Sequence, residues 1–339
     1  MIKVAIEKLV LGEDLEHDQM VQVMEEIMEG RAPGAQIGAF LTALKIKGET
    51  ADEISAGAQV MREKSLKVDI GGQYAIDTCG TGGDALGTFN VSTAVMFIAA
   101  AAGVTVLKHG NRSVSSRCGS ADVLESLGVK VDLGPEGVRK CAMELGLGFM
   151  FAPIFHSAMK NVMGVRRELG MRTIFNMLGP LSNPAKVQGQ VLGVFERGLT
   201  QTFAEALRDM GCERALVVHG DDGLDEISIT TSTHVSELKG GKIKSYTISP
   251  EDFGMELSGI EDIQGGDADK NAQIIKDILS GKRGAKRDIV LLNAGAAIYV
   301  GKKAGSMGEG VEIAKDVIDK GLALEKLQKF AKLTRRLRQ

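Results

Sequence analysis

From Gln73 onward the chain changes its hydrophobic period. Short strand-like apolar runs alternate with helical ones. The pattern predicts strands at Tyr74–Thr78, Val104–Leu107, Val129–Leu133, Gly148–Phe151, Val191–Phe195, Ala215–Val218 and Ile289–Leu292. Between them it predicts helices at Val91–Ala102, Ala121–Leu127, Pro135–Leu145, from about Ala158, and at Leu199–Met210. This rhythm restricts the fold to a largely parallel sheet with helices on both faces. One interruption, His234–Lys239 and Lys242–Ile248 joined at Gly240-Gly241, reads as a hairpin.

Before that border the chain reads as helices only. Met20, Met24, Ile27 and Met28 form one apolar face, followed by Gly30. Ile37, Phe40, Leu41 and Leu44 form the next, stopped by Gly48. Thr50 and Glu53 make a capping box ahead of Ile54, Ala58 and Met61. The methionine-rich faces read as core rather than as a subunit contact. The expected class is therefore α/β: a large domain with a mostly parallel sheet flanked by helices, plus a small all-helical domain bordered near Gly71-Gly72.

Composition narrows the function. The net charge of −3 makes the whole molecule no trap for nucleic acid, so a polyanion site needs a local basic patch or a metal. The longest apolar run, Ala94 to Leu107, is too short for a membrane span. The four cysteines show no CxxC pair or zinc spacing, and no signal-peptide core is visible. These features predict a cytoplasmic protein with reduced thiols. The basic tail Arg335-Arg336-Leu337-Arg338 reads as a solvated helix end.

In open parallel sheets the ligand lies beyond the carboxyl ends of the strands, and polar clusters follow the predicted strands. The first is Asp77-Thr78-Cys79-Gly80-Thr81-Gly82-Gly83-Asp84, continuing to Asn90 and Ser92 at the start of a helix. Glycines let successive N–H groups face one concavity, and a helix N-terminus attracts anions. Asn90 reads as the helix N-cap. The loose G-x-G-x-x-A match to a dinucleotide loop fails downstream, where the second strand ends in Lys108-His109 instead of an acid. A Walker loop fails because Thr88-Phe89 replaces Lys-Ser/Thr.

Lys108 and Arg112, with Ser113, Ser115 and Ser116, read as a phosphate grip. Asp84 inside a phosphate loop makes sense if it meets a ribose hydroxyl, a metal or metal-bound water. Asp221 to Glu226 alone reads as a solvated acidic turn. Beside a basic cradle, its Asp225-Glu226 pair reads as hard oxygen ligands for Mg2+, with Ser92 placed to touch a metal-bound phosphate. The residues together predict an α/β enzyme that binds a Mg2+–polyphosphate sugar. No covalent nucleophile is evident: Cys79 and Cys118 lack a base partner, and His17 and His234 read as bystanders.

Five segments then match one family in order: Asp77 to Asp84, Lys108-His109-Gly110-Asn111-Arg112, Gly119-Ser120-Ala121-Asp122-Val123-Leu124-Glu125, Arg172 to Pro184 (RTIFNMLGPLSNP), and Gly223-Leu224-Asp225-Glu226. They closely resemble the anthranilate phosphoribosyltransferases of tryptophan biosynthesis, and the likeness extends to Asn293-Ala294-Gly295-Ala296. The resemblance implies a Mg2+-dependent transfer of the phosphoribosyl group of phosphoribosyl pyrophosphate (PRPP) to the amine of anthranilate, releasing pyrophosphate. It implies a small domain of residues 1–72 joined by 157–185, a large domain of 73–156 and 186–339, and a homodimer formed through the small domain.

Carried over by motif, Gly80, Gly82, Gly83, Asp84, Thr88, Asn90, Val91, Ser92, Thr93, Lys108, Ser116 and Ser120 would hold PRPP. Ser92, Asp225 and Glu226 would hold Mg2+. Gly80, His109, Asn111, His156, Arg166 and Pro180 would line the anthranilate path, with Lys108, Asn111 and Arg166 as the catalytic set. Without the resemblance, Arg166 reads as part of an exposed helix face.

Two other readings remain. A pyrimidine nucleoside phosphorylase uses the resembled fold, but phosphorolysis needs no pyrophosphate-bound Mg2+, so the glycine loop with the acidic pair argues against it. A non-catalytic nucleic-acid-binding relative should have lost the Lys108–Asn111 or acidic motifs, and both are present. The acid-acid-Thr-Gly-Gly-Thr turn of another phosphoribosyltransferase type is absent after Asp221-Asp222, which argues against a purine or orotate enzyme.

Overall fold

A computed structural model of the chain describes residues 1–83, 86–113 and 118–337. Asp84 and Ser116, both expected at the phosphate site, Ser115 of the expected grip and Arg338 of the basic tail lie outside the described residues.

The first part forms α1 (Ile2–Val10), α2 (His17–Met28), α3 (Gly34–Lys47) and α4 (Ala51–Lys64). Their ends follow from local chemistry. Gly30, after α2, takes a left-handed φ of 74°. The Thr50 hydroxyl accepts the Glu53 N–H at 3.2 Å, and the Thr50 N–H donates to the Glu53 carboxylate at 2.9 Å. Glu53 is fully buried but not alone: Lys47 Nζ donates to it at 2.6 Å and the Leu15 N–H at 3.0 Å. One capped carboxylate thus ties the loop before α2 to the α3–α4 turn. Met20, Met24, Ile27 and Met28 are buried, as core.

The remainder runs β1 (Ala75–Gly80), α5 (Val91–Ala101), β2 (Thr105–Gly110), α6 (Ser120–Ser126), α7 (Pro135–Leu145), β3 (Leu147–Phe151), α8 (Ala152–Phe155), α9 (Lys160–Leu169) and α10 (Ile174–Leu181). It continues with β4 (Gly189–Gly193), α11 (Leu199–Asp209), β5 (Arg214–Gly220), β6 (Thr233–Lys239), β7 (Lys242–Ile248), α12 (Ala268–Leu279), α13 (Ala285–Val300), α14 (Met307–Asp319) and α15 (Leu322–Leu337). One seven-stranded sheet has the order β3-β2-β1-β4-β5-β6-β7. The pairings from β3 across to β5 are parallel, and the β6–β7 hairpin closes the edge antiparallel.

Alternation along the strands divides the interior in two, because successive strand side chains point to opposite faces. Val191, Leu216 and Val218 pack with α5 and α13. Leu192, Val194, Ala215 and Val217 pack with α2, α3, α4, α10 and α11. The parallel strands are buried on both sides, which is why they read as short continuous apolar runs. On the first face Phe97 of α5 meets Phe330 of α15 edge-on at 6.4 Å, worth about 0.5–1.5 kcal/mol beyond the buried area.

Two expected strands are absent. Val129–Leu133 carries the inward alternation of a strand but lies off the sheet, and its Lys130 N–H donates to Thr334 of α15 at 3.0 Å. Ile289–Leu292 lies inside α13, a helix buried almost all round, where a short apolar run carries no period that separates helix from strand.

α9 and α10 leave the sheet and return to the N-terminal helices, α9 against α2 and α3, α10 against α4 and α3. Asn161 of α9 donates to the Met28 carbonyl at 2.8 Å and so closes the end of α2. The strand order reverses between β1 and β4. The chain winds outward from β1 to β3, then returns to the other side of β1. Such a reversal opens a crevice at the carboxyl ends of the two strands.

Candidate active site

β1 and β4 end in register at Gly80 and Gly193. Asp225 lies over both, and a Cβ at either glycine would collide with it. The absence of two side chains is what lets the acidic loop after β5 settle onto the strand ends. There Asp225 Oδ2 accepts the Gly82 N–H at 2.7 Å, and Glu226 Oε1 accepts the Ser92 N–H on the first turn of α5 at 3.1 Å. Lys108, nearly fully buried on β2, donates to Ser92 Oγ at 3.2 Å and to the Thr78 carbonyl. Gly80, Gly82, Ser92, Lys108, Asp225 and Glu226 therefore meet in one patch.

The acidic turn divides its labour. Asp222 accepts the Leu224 N–H at 3.1 Å, the Ser228 hydroxyl at 2.7 Å and the Thr230 hydroxyl, and Asp221 pairs with Arg197 at 3.7 Å. These shape the loop that carries Asp225 and Glu226 inward. Asn293 of α13 then holds the next residue at both ends, accepting the Ile227 N–H at 3.0 Å and donating to its carbonyl at 2.9 Å.

The patch fits a hard divalent cation. Two carboxylates and one hydroxyl are the oxygen donors Mg2+ prefers, and Mg2+ takes few protein ligands when phosphates supply the rest. Among the described residues no group of three or more His, Cys, Asp or Glu side chains could hold a metal by itself, so substrate oxygens would have to complete the shell.

A second patch lies at the end of β2. The rings of His109 and His156 stand 4.9 Å apart. Burial pushes His109 down to about 3 and His156 to about 4, so both are neutral at pH 7. His109 Nδ1 faces the Gly179 carbonyl of α10 at 3.3 Å. A carbonyl only accepts, so Nδ1 carries the hydrogen, and Nε2 is an acceptor with no partner among the described residues. Pro180 follows, its carbonyl accepting Gln190 Nε2 at 2.7 Å. Arg166 of α9 is partly buried with its guanidinium 5.5 Å from the Phe175 ring centre. Burial lowers its pKa, and among the described residues no carboxylate acts on it. Asn111 is exposed, its Oδ1 accepting the Arg112 N–H at 2.7 Å and its carbonyl the Ser120 hydroxyl at 3.3 Å. No hydrogen bond among the described residues joins Arg166 or Asn111 to the first patch.

Two expectations change. Arg112 grips no open cradle: it pairs with Asp122 at 2.9 Å and Glu125 at 2.6 Å, over the Phe151 ring. Asn90 occupies the N-cap position of α5 without capping it. Its Oδ1 accepts from Asn271 at 3.0 Å and its Nδ2 donates to the Cys118 carbonyl at 3.1 Å. The first turn of α5 is answered by Glu226 instead. Val91 and Thr93 bury their side chains, the Thr93 hydroxyl without a partner among the described residues, and Thr88 bridges to Gln264. Burial pushes the Cys79 thiol well up and Cys118 to about 11, the opposite of an activated nucleophile.

Comparison with known proteins agrees with this geometry. Residues 72–324 match the glycosyl transferase family a/b domain, and residues 3–65 match its helical bundle domain. The chain is 59% identical to the anthranilate phosphoribosyltransferase of Alkaliphilus metalliredigens over the full length of both. The chain belongs to the anthranilate phosphoribosyltransferase family. The crystal structure of the anthranilate phosphoribosyltransferase from Thermus thermophilus superposes with a TM-score of 0.93 at 42% identity, covering 98% of this chain and 99% of that one. That of Saccharomyces cerevisiae, in complex with PRPP and Mg, superposes at 0.88 with 28% identity, covering 99% and 98%.

In this member of the anthranilate phosphoribosyltransferase family, residues that the motifs left without a role support the site from behind. Asp77 is fully buried, accepting the His109 N–H at 3.3 Å and Asn183 Nδ2 at 2.8 Å. Burial pushes its carboxyl up to about 6 against the pull of Lys108. In the sequence both stand in segments that carry the family resemblance, Asp77 at its start and Asn293 at its end, but neither had a role attached.

Proposed function

We infer that this chain transfers the phosphoribosyl group of PRPP to the amine of anthranilate, releasing pyrophosphate, in tryptophan biosynthesis. The observation that carries the reading is the meeting of glycine-loop amides, a buried lysine and two carboxylates at the β1/β4 crevice. A pyrophosphorylated sugar with a divalent cation has complementary chemistry. Mg2+, held by Ser92, Asp225, Glu226 and substrate phosphates, would supply positive charge against the departing pyrophosphate.

The chain's own residues do the rest. The C1–oxygen bond breaks as pyrophosphate leaves, and the anthranilate nitrogen forms the new bond at C1, then loses a proton. Lys108 and the loop amides stabilise the leaving charge, which is electrostatic catalysis by fixed groups. The amine is already neutral at pH 7, so orientation matters more than proton removal. Arg166 takes the anthranilate carboxylate, the neutral His109–His156 pair receives the flat ring, and His109 Nε2 offers an acceptor to the amine. Asn111 and Pro180 complete that path. Gly80, Gly82, Gly83, Asp84, Thr88, Asn90, Val91, Ser92, Thr93, Ser116 and Ser120 hold PRPP through side chain or backbone.

We further propose that residues 1–72 with 157–185 form a small helical domain beside a large α/β domain, a division supported by the packing of α9 and α10. Val10 of α1, Leu11 just past its end and Ile46 of α3 are 71–82% exposed, which supports a homodimer through the small domain. We assign the protein to the cytoplasm, as suits an enzyme of tryptophan biosynthesis; no helix among the described residues is long and apolar enough to cross a membrane. Loss of anthranilate fluorescence on adding PRPP and Mg2+ tests the activity, and a constant signal counts against it.

A further inference from the structure

Arg172 lies between α9 and α10 and is exposed, yet it has two definite partners. Its guanidinium carbon stands 4.3 Å from the Phe195 ring centre, just past the end of β4, and one terminal nitrogen donates to the Gly83 carbonyl at 2.5 Å. Gly83 has a φ of 80°, and any Cβ there would collide with that guanidinium. Among the described residues no carboxylate pairs with Arg172.

The two consecutive glycines are gripped by different partners. Asp225 holds the N–H of Gly82, and Arg172 holds the carbonyl of Gly83. Of these two grips, the one from Arg172 does not depend on a residue read as a metal ligand. Phe195 serves the loop twice: its ring carries the Arg172 guanidinium, and its N–H donates to Thr81 Oγ1 at 3.1 Å.

We propose that Arg172 is a positioning residue for the PRPP site, seated on Phe195 and setting the Gly82–Gly83 turn through the Gly83 carbonyl. It acts on the loop and not on the substrate. The inference rests on reading Gly80–Gly83 as the pyrophosphate loop. A cation stacked on an aromatic face and making a charged hydrogen bond is well matched to such a task, and Met or Leu in its place keeps bulk without either contact.

The test combines steady-state kinetics with hydrogen exchange of the loop amides in wild type, Arg172→Met, Arg172→Lys, Phe195→Leu and the double variant Arg172→Met with Phe195→Leu. Thermal melts check that each is folded. In the ligand-free protein, Arg172→Met should speed exchange over Gly80–Gly83. It should raise the KM for PRPP roughly five- to tenfold, with the KM for anthranilate at saturating PRPP nearly unchanged. Phe195→Leu should give a weaker copy, and the double variant should be no worse than Arg172→Met alone. Arg172→Lys should restore part of the loop protection.

A raised KM for PRPP with unchanged exchange in the free protein would mean that Arg172 touches the substrate, and would overturn the proposal. So would fully additive losses, or no change in either readout. If PRPP with Mg2+ fails to protect this loop in the wild type, the pyrophosphate-loop reading itself fails, whatever the variants do.

Discussion

Asp225 accepts the Gly82 N–H at 2.7 Å, so an acid of the chain occupies a loop amide that suits a phosphate oxygen. Glu226 does the same at the first turn of α5. If both carboxylates exchange these amides for a cation when the substrate arrives, their charge sets the demand for metal. Changing Asp225 to Asn and Glu226 to Gln together should raise the Mg2+ concentration for half-maximal activity by about tenfold or more. A Mg2+ titration that overlays the wild type would remove them as ligands.

Lys108 is buried with its ammonium on Ser92 and the Thr78 carbonyl, at the point where the leaving charge would develop. A charge-assisted contact contributes roughly 1.5–3 kcal/mol. Lys108→Met should therefore lower kcat/KM for PRPP by about 10- to 150-fold. Far-UV circular dichroism accompanies the measurement, because the variant leaves buried Asp77 without its nearby cation. An unchanged kcat/KM in a folded variant would exclude this role.

Arg166 has no carboxylate acting on it among the described residues, and burial already disfavours its charge. An incoming carboxylate would relieve that. Arg166→Ala should raise the KM for anthranilate about tenfold or more and affect PRPP less. The reverse split would move Arg166 out of the anthranilate path.

The two histidines make stability depend on pH with a definite sign. Burial holds His109 and His156 far below the value of about 6.5 they regain on unfolding. Their contribution is full above about pH 6.5 and is lost as pH falls toward about 4, because the unfolded chain binds those protons first. Asp77, pushed up to about 6, acts oppositely. It binds a proton in the folded protein over the same range and offsets one of the two. Together the three groups leave a net fall of about one proton's worth of slope between pH 6 and 4, on the order of 1 kcal/mol per pH unit. His156→Gln should flatten the stability profile relative to wild type by about that slope, read from urea midpoints at pH 6, 5 and 4. Parallel profiles would show that His156 is not held neutral.

The architecture was legible because both of its periods are strong. Buried parallel strands appeared as short apolar runs, and helix ends such as Thr50/Glu53 carried their own capping chemistry. Val129–Leu133 misled because alternation reports which side chains point inward, not which backbone finds a partner strand. Ile289–Leu292 misled because a helix buried all round has no polar stripe. In the site, charged loop residues were legible at strand ends, but their allegiances were not. Arg112 faces Asp122 and Glu125 because α6 brings both acids round on one side, and Asn90 turns to Asn271 across most of the sequence. Asn293 and Arg172 serve the site through backbone groups of distant segments, a relation that no local pattern encodes.

The most direct measurement is the stoichiometry of the reaction on purified protein. Anthranilate consumed and pyrophosphate released are followed together after adding PRPP and Mg2+. We predict equal amounts of the two, with neither change when PRPP is omitted. No pyrophosphate and constant anthranilate, together with thymine released from thymidine and phosphate, would contradict the account and assign the crevice to phosphorolysis.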